Sequence, residues 1–563
     1  MANSTDKPGG LSLFRTIEII RLKRKEISAI YFFAILNGLL QLSIPLGIQS
    51  IINFLQAFTF STSIWVLILL VLVGVLLSGA LQVSQLKVIE RINQKLFSRY
   101  GLEFAYRIPR FDVKKVDDYY LPEQVNRFFD SVSIQKGLGK LLLDIPTASI
   151  QILFGLILLS FYSSVFILFG ILLLIILVLI ISLTSKRGLA TSLKESDYKY
   201  SVAGWLEEMA RSFKTFKFNN LTNLHLKKSD KLMEGYLGAR TSHFKILLVQ
   251  YWSLIVFKVL ITAAMLVVGA FLTINNQINL GQFVAAEIVI ITIMASIEKF
   301  IFSLDSVYDL LTSIEKIGKV LDKPVDIYGT IPFQQKLSGV DIKLNNVSFS
   351  FDDEVEVLSN INFAVPAGAK VCLMGEEGAG KTMLLKVLTG AYHDFRGTIL
   401  FDNIPLSNIK QDMLQLHLGV VFNDQDIFQG SLLENLTMGR QSFSFERLTT
   451  LAKLTELEEY LKKLPDGYET TMDVAGKRLS KSTRQKILIM RALLHHPSLL
   501  LLENPWSALS PQLTEKIQNY VINQTPNITT FMITKDEIFA RQCDYIVRMA
   551  NGEVVSVTRG NNN

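Results

Sequence analysis

The stretch KVCLMGEEGAGKTMLLKVLTG, Lys370 to Gly390, decides the reading of the C-terminal half. Its first five residues read as a buried strand, and from Lys381 onward the apolar residues recur at helical spacing. Between them stands Gly375-x-x-Gly378-x-Gly380-Lys381-Thr382, a P-loop in the strand-then-helix context that the motif requires. Glycines let backbone amides close around phosphate oxygens, Lys381 neutralises charge on the outer phosphates, and the Thr382 hydroxyl can ligate Mg²⁺. The whole loop, Gly375, Glu376, Glu377, Gly378, Ala379, Gly380, Lys381 and Thr382, is therefore assigned to nucleotide binding.

Upstream, DKPVDIYGTIPFQQKLSG (residues 322–339) is a Pro/Gly-containing linker, after which DIKLNNVSFSF alternates like a strand. Residues 340–563 are thus expected to form a soluble α/β P-loop domain. What precedes the linker is different in kind. With 49% hydrophobic and 19% charged residues and a mean hydropathy of +0.33, the chain is too apolar to be wholly soluble. No charge occurs from Ile145 to Ser185. As one helix that stretch would run roughly 60 Å against a hydrocarbon slab of about 30 Å, so it must cross twice, turning at FYSSV (residues 161–165). Comparable stretches at 30–55, 64–83, 252–272 and 281–302 bring the total to about six spans. Residues 30–321 are read as an all-α membrane domain and 1–29 as a cytoplasmic N-terminal segment without a cleavable signal.

The connections alternate in charge. Arg21, Lys23, Arg24 and Lys25 precede the first span, and the segments 87–140 and 186–245 are net basic, whereas QAFTFSTS, FYSSV and TINNQINLGQ carry no charge. The positive-inside rule places both termini in the cytoplasm. The basic connections show helical periodicity, as in GWLEEMARSFKTFKF (residues 204–218), and read as membrane helices prolonged into the cytoplasm, with turning points suited to docking. The net charge of +7 does not indicate nucleic acid, because Lys and Arg concentrate in these connections. Within the last two spans, Lys258 and the Glu298-Lys299 pair lie at similar depth, which allows either Lys258–Glu298 pairing or snorkelling to the inner interface; Glu287 is shallower and is the candidate for lining a pathway. The two cysteines, Cys372 and Cys543, have no metal-ligand spacing and read as buried free thiols.

Three further segments follow in order: VSFSF, LGVVFNDQDIFQGSLLENL (418–436) and LSKSTRQKILIMRALLHHPSLLLLENPWSALS (479–510). Together with the P-loop and the six spans they resemble ATP-binding cassette (ABC) exporters, in the half-transporter layout whose chains dimerise to make two composite sites. The resemblance implies a type I exporter fold followed by an ATP-binding cassette, with ATP and Mg²⁺ as ligands. It implies that Phe351 stacks on adenine, that Ser480 of the signature motif serves the nucleotide of the opposing chain, and that Thr382, Asn423 and Glu503 hold the metal, Asn423 also contacting nucleotide.

The departures from the family pattern fall on chemistry. Glu503 stands where the family has its Mg²⁺-linked Asp, and Asn504 stands where it has the carboxylate that polarises the attacking water. An amide accepts no proton at neutral pH, and a positioned base is worth about 10²- to 10⁴-fold in rate. Asn423 replaces the usual Gln, Lys535 replaces the switch His, and the signature LSGGQ becomes LSKST, with Lys481 and Ser482 at the glycine positions. Ser510 replaces the closing Asp of the D-loop, and Val474 stands at an acidic position. The expected catalytic set is therefore empty, Asn504 and Lys535 being degenerate positions. The sequence points to an exporter subunit whose cassette dimerisation drives translocation with weak or absent hydrolysis at its own site, or alternatively to a non-hydrolysing regulatory or scaffolding subunit. A homodimer or a heterodimer with a second half-transporter, an inner (plasma) membrane location and a membrane-fusion adaptor are further implications. The membrane half is similar to the peptide-export and type I secretion branch without its N-terminal peptidase domain, and it names no substrate.

Overall fold

A computed structural model describes residues 15–17, 24–56, 62–116, 120–219, 222–326, 329–334, 338–351, 356–525 and 527–560. Arg21, Lys23, most of the N-terminal segment, part of the connection QAFTFSTS and parts of the linker lie outside these residues. The chain divides into two compact units, one comprising Met1–Arg110 and Asp118–Lys323, the other Phe111–Asp117 and Pro324–Asn563.

Among the described residues, the first unit contains six helical segments long and apolar enough to span a membrane: Arg24–Gln56, Thr62–Arg110, Leu121–Tyr162, Ser164–Arg211, Leu224–Ile274 and Leu280–Leu321. The first is interrupted at Leu42, just ahead of Pro45, so that span consists of two consecutive helices, Arg24–Gln41 and Ser43–Gln56. The turn at FYSSV is a single extended residue, Ser163, whose side chain caps the next helix by accepting from Val165 N. A helix of 51 residues, Leu224–Ile274, is about 75 Å long, far more than the slab needs, so its excess length projects beyond the bilayer.

Polar side chains in this unit find one another, as lipid requires. Ser78 Oγ donates to the fully buried Asn37 (Oδ1, 2.5 Å), and Gln250 Nε2 donates to Thr184 Oγ1 at 2.7 Å and to Tyr308 OH at 3.0 Å. Lys258 Nζ donates to Glu298 Oε2 at 3.2 Å, the pairing that equal depth allowed. Lys299 instead meets Asp144 at 2.8 Å, a partner at the head of the preceding hairpin that the sequence did not suggest. Glu287 is different: its Oε2 is buried without a hydrogen-bond partner among the described residues.

The second unit is built on a six-stranded sheet. Its strands run, in spatial order, Glu553–Arg559, Tyr545–Ala550, Lys370–Met374, Thr529–Ile533, Leu499–Glu503 and Leu418–Val421; all pairings are parallel except the first, which is antiparallel. Helices on both faces explain why LLLL (Leu499–Leu502) is a continuous apolar run and not an alternating one. A second, antiparallel sheet of Glu356–Val365, Ile342–Ser350, Arg396–Phe401 and Ile404–Pro405 packs its apolar face into the same core. Part of the linker is also fixed here: Phe333 is buried in that core, and Ile331 exchanges backbone hydrogen bonds with Asn408 and Lys410.

Cys372, in the middle of the strand Lys370–Met374, and Cys543, in the connection ahead of the strand Tyr545–Ala550, are both buried with their sulfurs 2.7 Å apart. The hydrogen bond between them and burial push the Cys372 thiol well above its ordinary range. Lys370 opens the central strand and is also buried, its Nζ donating to Thr525 O at 2.6 Å and to Ile528 O. Burial lowers its pKa from 10.5 to about 8, against the opposing pull of Asp544. The unfolded chain therefore holds this proton more firmly than the folded one, and the group's contribution to stability rises as pH climbs from about 8 toward 10.5. From about pH 8 to about pH 10 the thermal midpoint of the wild-type cassette should gain a few degrees on that of Lys370→Met; a constant gap between them would contradict this assignment.

Candidate functional site

Parallel register brings three strand ends to one edge. Ile533 is aligned with both Leu373 and Glu503, so the loops that leave these strands, Gly375 onward, Asn504 onward and Thr534 onward, emerge side by side. Ligands of open parallel sheets bind beyond such carboxyl ends.

The loop after the central strand has the shape its glycines predict. Gly375 has φ +143° and a Cβ there would lie 2.1 Å from Met549 O; Gly380, with φ +88°, is the left-handed residue that starts the helix Lys381–Leu388. Gly378, φ +84°, is exposed, and a Cβ there would meet nothing within 4 Å. Glu376, Glu377 and Gly378 are exposed, whereas Ala379 is buried beneath them. The Lys381 ammonium lies over the loop, donating to Gly375 O at 2.9 Å and Glu376 O at 2.5 Å. Burial and the charge of Lys535 lower the Lys381 pKa, while Glu377 raises it.

Beside the loop, Glu503 ends its strand almost fully buried. It accepts a hydrogen bond from Thr382 Oγ1 at 2.6 Å through one carboxylate oxygen and from the Asn423 backbone N at 2.9 Å through the other. Thr382 and Asn423 thus both meet Glu503, through a hydroxyl and a backbone N respectively. The oxygens of Thr382 and Glu503 suit a divalent cation such as Mg²⁺, Asn423 being brought to Glu503 through its backbone N, and no Lys or Arg pairs with Glu503 among the described residues. The loop and this carboxylate together fit a Mg²⁺-bound phosphate chain, which would be cradled by the loop amides and Lys381 with its metal at Thr382 and Glu503.

Asn504 follows the last strand residue in a left-handed conformation, φ +42°, and Pro505 comes next. Its side chain is an amide at the edge where the carboxylate is expected. Lys535 Nζ reaches back over the loop to Glu377 Oε1 at 2.8 Å, and that hydrogen bond holds the Glu377 carboxyl below its ordinary range.

Phe351 is 39% exposed and stands edge-on to Phe349 (5.2 Å) and Tyr392 (6.2 Å). Tyr392, which the sequence reading passed over, lies four residues beyond the helix that follows the P-loop; it is buried in this cluster together with Phe349, and no local sequence pattern marks it. Phe111–Asp117 was likewise missed. It belongs to this unit although its neighbours in the chain do not: Asp112 N donates to Pro324 O at 3.0 Å, Lys114 Nζ lies 5.4 Å from the Phe349 ring, and His393 Nε2 is 3.7 Å from Asp112 Oδ2. In sequence it is an ordinary part of the basic 87–140 connection.

Ser480 is not brought to the P-loop of its own chain. It caps the helix Lys481–Leu494, its Oγ accepting from Thr483 N at 3.0 Å. Lys481 then places a cation at the positive end of that helix, an unfavourable position. Ser510 keeps a capping role too, accepting from Leu513 N at the head of Pro511–Asn523.

Comparison with known proteins agrees with this architecture. The family model described as ABC transporter transmembrane region matches residues 27–297, and the one described as ABC transporter matches residues 358–507. Among curated relatives, the chain is 29% identical over 294 residues to an uncharacterized ABC transporter ATP-binding protein, YknU, of Bacillus subtilis (52% of this chain, 50% of that protein). It is 26% identical over 352 residues to the alpha-hemolysin translocation ATP-binding protein HlyB of Escherichia coli O157:H7 (62% and 49%), and 29% identical over 245 residues to the ATP-dependent lipid A-core flippase of Legionella pneumophila strain Paris (44% and 42%). The chain matches about half the length of these relatives. The fold is shared with a solved bacterial Atm1-family ABC exporter with ATP bound, at a TM-score of 0.86, 18% identity and 96% coverage of both chains. With membrane region and cassette both matched, and in that order, the chain belongs to the ABC transporter family, as a six-helix exporter-type transmembrane domain followed by an α/β cassette.

Proposed function

We propose that this chain is one half of a membrane exporter whose cassette binds Mg-ATP firmly and cleaves it slowly, so that work comes from cassette closure around bound nucleotide. One observation carries the reading: Glu503 is set against Thr382 and Asn423 as a metal-bound phosphate chain needs, while the next residue, Asn504, is an amide that takes no proton. The P-loop residues Gly375 to Thr382 grip the phosphates, Phe351 meets the base, and Thr382, Asn423 and Glu503 hold Mg²⁺. Ser480 contributes to the site of a partner chain, either a copy or a second half-transporter. Phe111–Asp117, grouped with the cassette and flanked in the chain by membrane helices, is the segment through which closure is transmitted. Glu287, with its unpartnered buried oxygen, lines the translocation path. The basic connections support the reading of a multi-pass plasma-membrane protein with both termini in the cytoplasm.

The test is binding against turnover on the purified full chain in detergent or vesicles. Saturable Mg-ATP binding is expected, lost by at least about 100-fold in Lys381→Ala, with phosphate release far below about 1 per second. Brisk hydrolysis by the unmodified chain alone would overturn the reading. Tight binding with no movement of any substrate, alone or with a partner half, would favour a regulatory subunit.

A further inference from the structure

The P-loop carries an unusual feature for a phosphate cradle: two consecutive carboxylates, Glu376 and Glu377, on its exposed rim. Glu377 holds Lys535, the residue at the switch position, through a 2.8 Å contact between side chains that are 89% and 76% exposed. The charges of Glu377 and Lys535 both reach Lys381, the lysine that faces the outer phosphates, so all three groups act on one small volume. Strand register places Lys535 at that edge, two residues beyond Ile533, which is aligned with Leu373 at the base of the loop. A carboxylate there competes for the cation that a terminal phosphate would otherwise engage. An ion pair so exposed is weak and exchangeable. A terminal phosphate, with more charge and three acceptor oxygens, can displace a carboxylate from an ammonium.

Resting on the reading that this loop takes a nucleoside triphosphate, we propose that Glu377 is a built-in competitor for the terminal phosphate: it holds Lys535 until ATP displaces it, and recaptures Lys535 as ATP leaves. The consequence suits a site without a base. A cassette that cuts its nucleotide slowly must release much of it intact, and a carboxylate that recaptures Lys535 eases that exchange. A diphosphate lacks the terminal phosphate that would compete with Glu377, so the expected effect is specific to ATP.

Isothermal titration of the full detergent-solubilised chain with Mg-ATP and Mg-ADP tests this in a four-member cycle. Glu377→Gln should tighten Mg-ATP about 3- to 5-fold, the most that so exposed a pair can hold back, and Mg-ADP by less than about 2-fold. Lys535→Gln should weaken Mg-ATP about 10-fold in the Glu377→Gln background but only about 2- to 3-fold in the native one, where Lys535 had first to leave the carboxylate. Equal losses in the two backgrounds, a larger loss in the native one, or equal shifts for ATP and ADP would overturn the proposal while leaving nucleotide binding intact. No Mg-ATP binding by the unmodified chain would remove the underlying reading, and this one with it. Both side chains are exposed, so the thermal midpoint without nucleotide should be the same across the cycle.

Discussion

Restoring Asn504→Glu, Lys535→His, Lys481→Gly and Ser482→Gly in one chain should raise ATP turnover by about 10²- to 10⁴-fold, the range that a positioned general base commands. Asn504→Glu alone should give less than about 10-fold. Two features of the site set this ceiling. Asn504 sits at φ +42°, where Asn is tolerated and a longer acid is strained, so a new carboxylate would not hold its position against the following Pro505. Lys535 is already engaged with Glu377 and, unlike a neutral imidazole, cannot accept a hydrogen bond. The signature helix adds the third limit, since Lys481 and Ser482 interpose side chains where backbone must approach the opposing nucleotide. Phosphate release at saturating Mg-ATP measures the outcome. A single substitution that matched the fourfold variant would mean that the missing base was the only defect.

What the sequence made legible and what it hid follow from range. The P-loop was readable because a strand, three glycines, a lysine and a hydroxyl residue within one local segment impose their own geometry, and Gly375 and Gly380 take the positive φ their type permits. The six spans were readable because lipid demands long apolar helices whatever the tertiary packing. The pairs that tune the site were not readable. Glu377 and Lys535 are 158 positions apart and meet only because parallel register sets their strands' ends together. The Lys299–Asp144 pair, the facing sulfurs of Cys372 and Cys543, and the membership of Phe111–Asp117 in the cassette unit are likewise products of chain crossing, with no local pattern to betray them. Lys258 and Glu298 were the exception, because helix rise alone converts sequence position into depth.

Glu503→Gln should abolish the metal dependence of nucleotide affinity, lowering ATP binding in Mg²⁺ by about 100-fold toward its value in EDTA. The carboxylate is only 7% exposed, and its partners are neutral donors, Thr382 Oγ1 and Asn423 N, with no basic side chain in reach among the described residues. A buried anion stabilised only by dipoles is poised to take a cation, and Mg²⁺ bound there would supply the missing positive charge. Glutamine matches the shape but not the charge. Its amide would also turn one donor toward the hydroxyl or the backbone N–H that now donates, which should cost the cassette about 1 to 3 kcal/mol of stability. The control is Glu503→Asp, one methylene shorter, which keeps the charge. If charge is what matters, Asp should retain Mg²⁺-dependent binding to within about 10-fold of wild type, while Gln binds equally with and without the metal. Mg-ATP binding by Glu503→Gln at wild-type strength would show that this carboxylate serves the fold and not the metal, and the cation would have to be sought elsewhere in the loop.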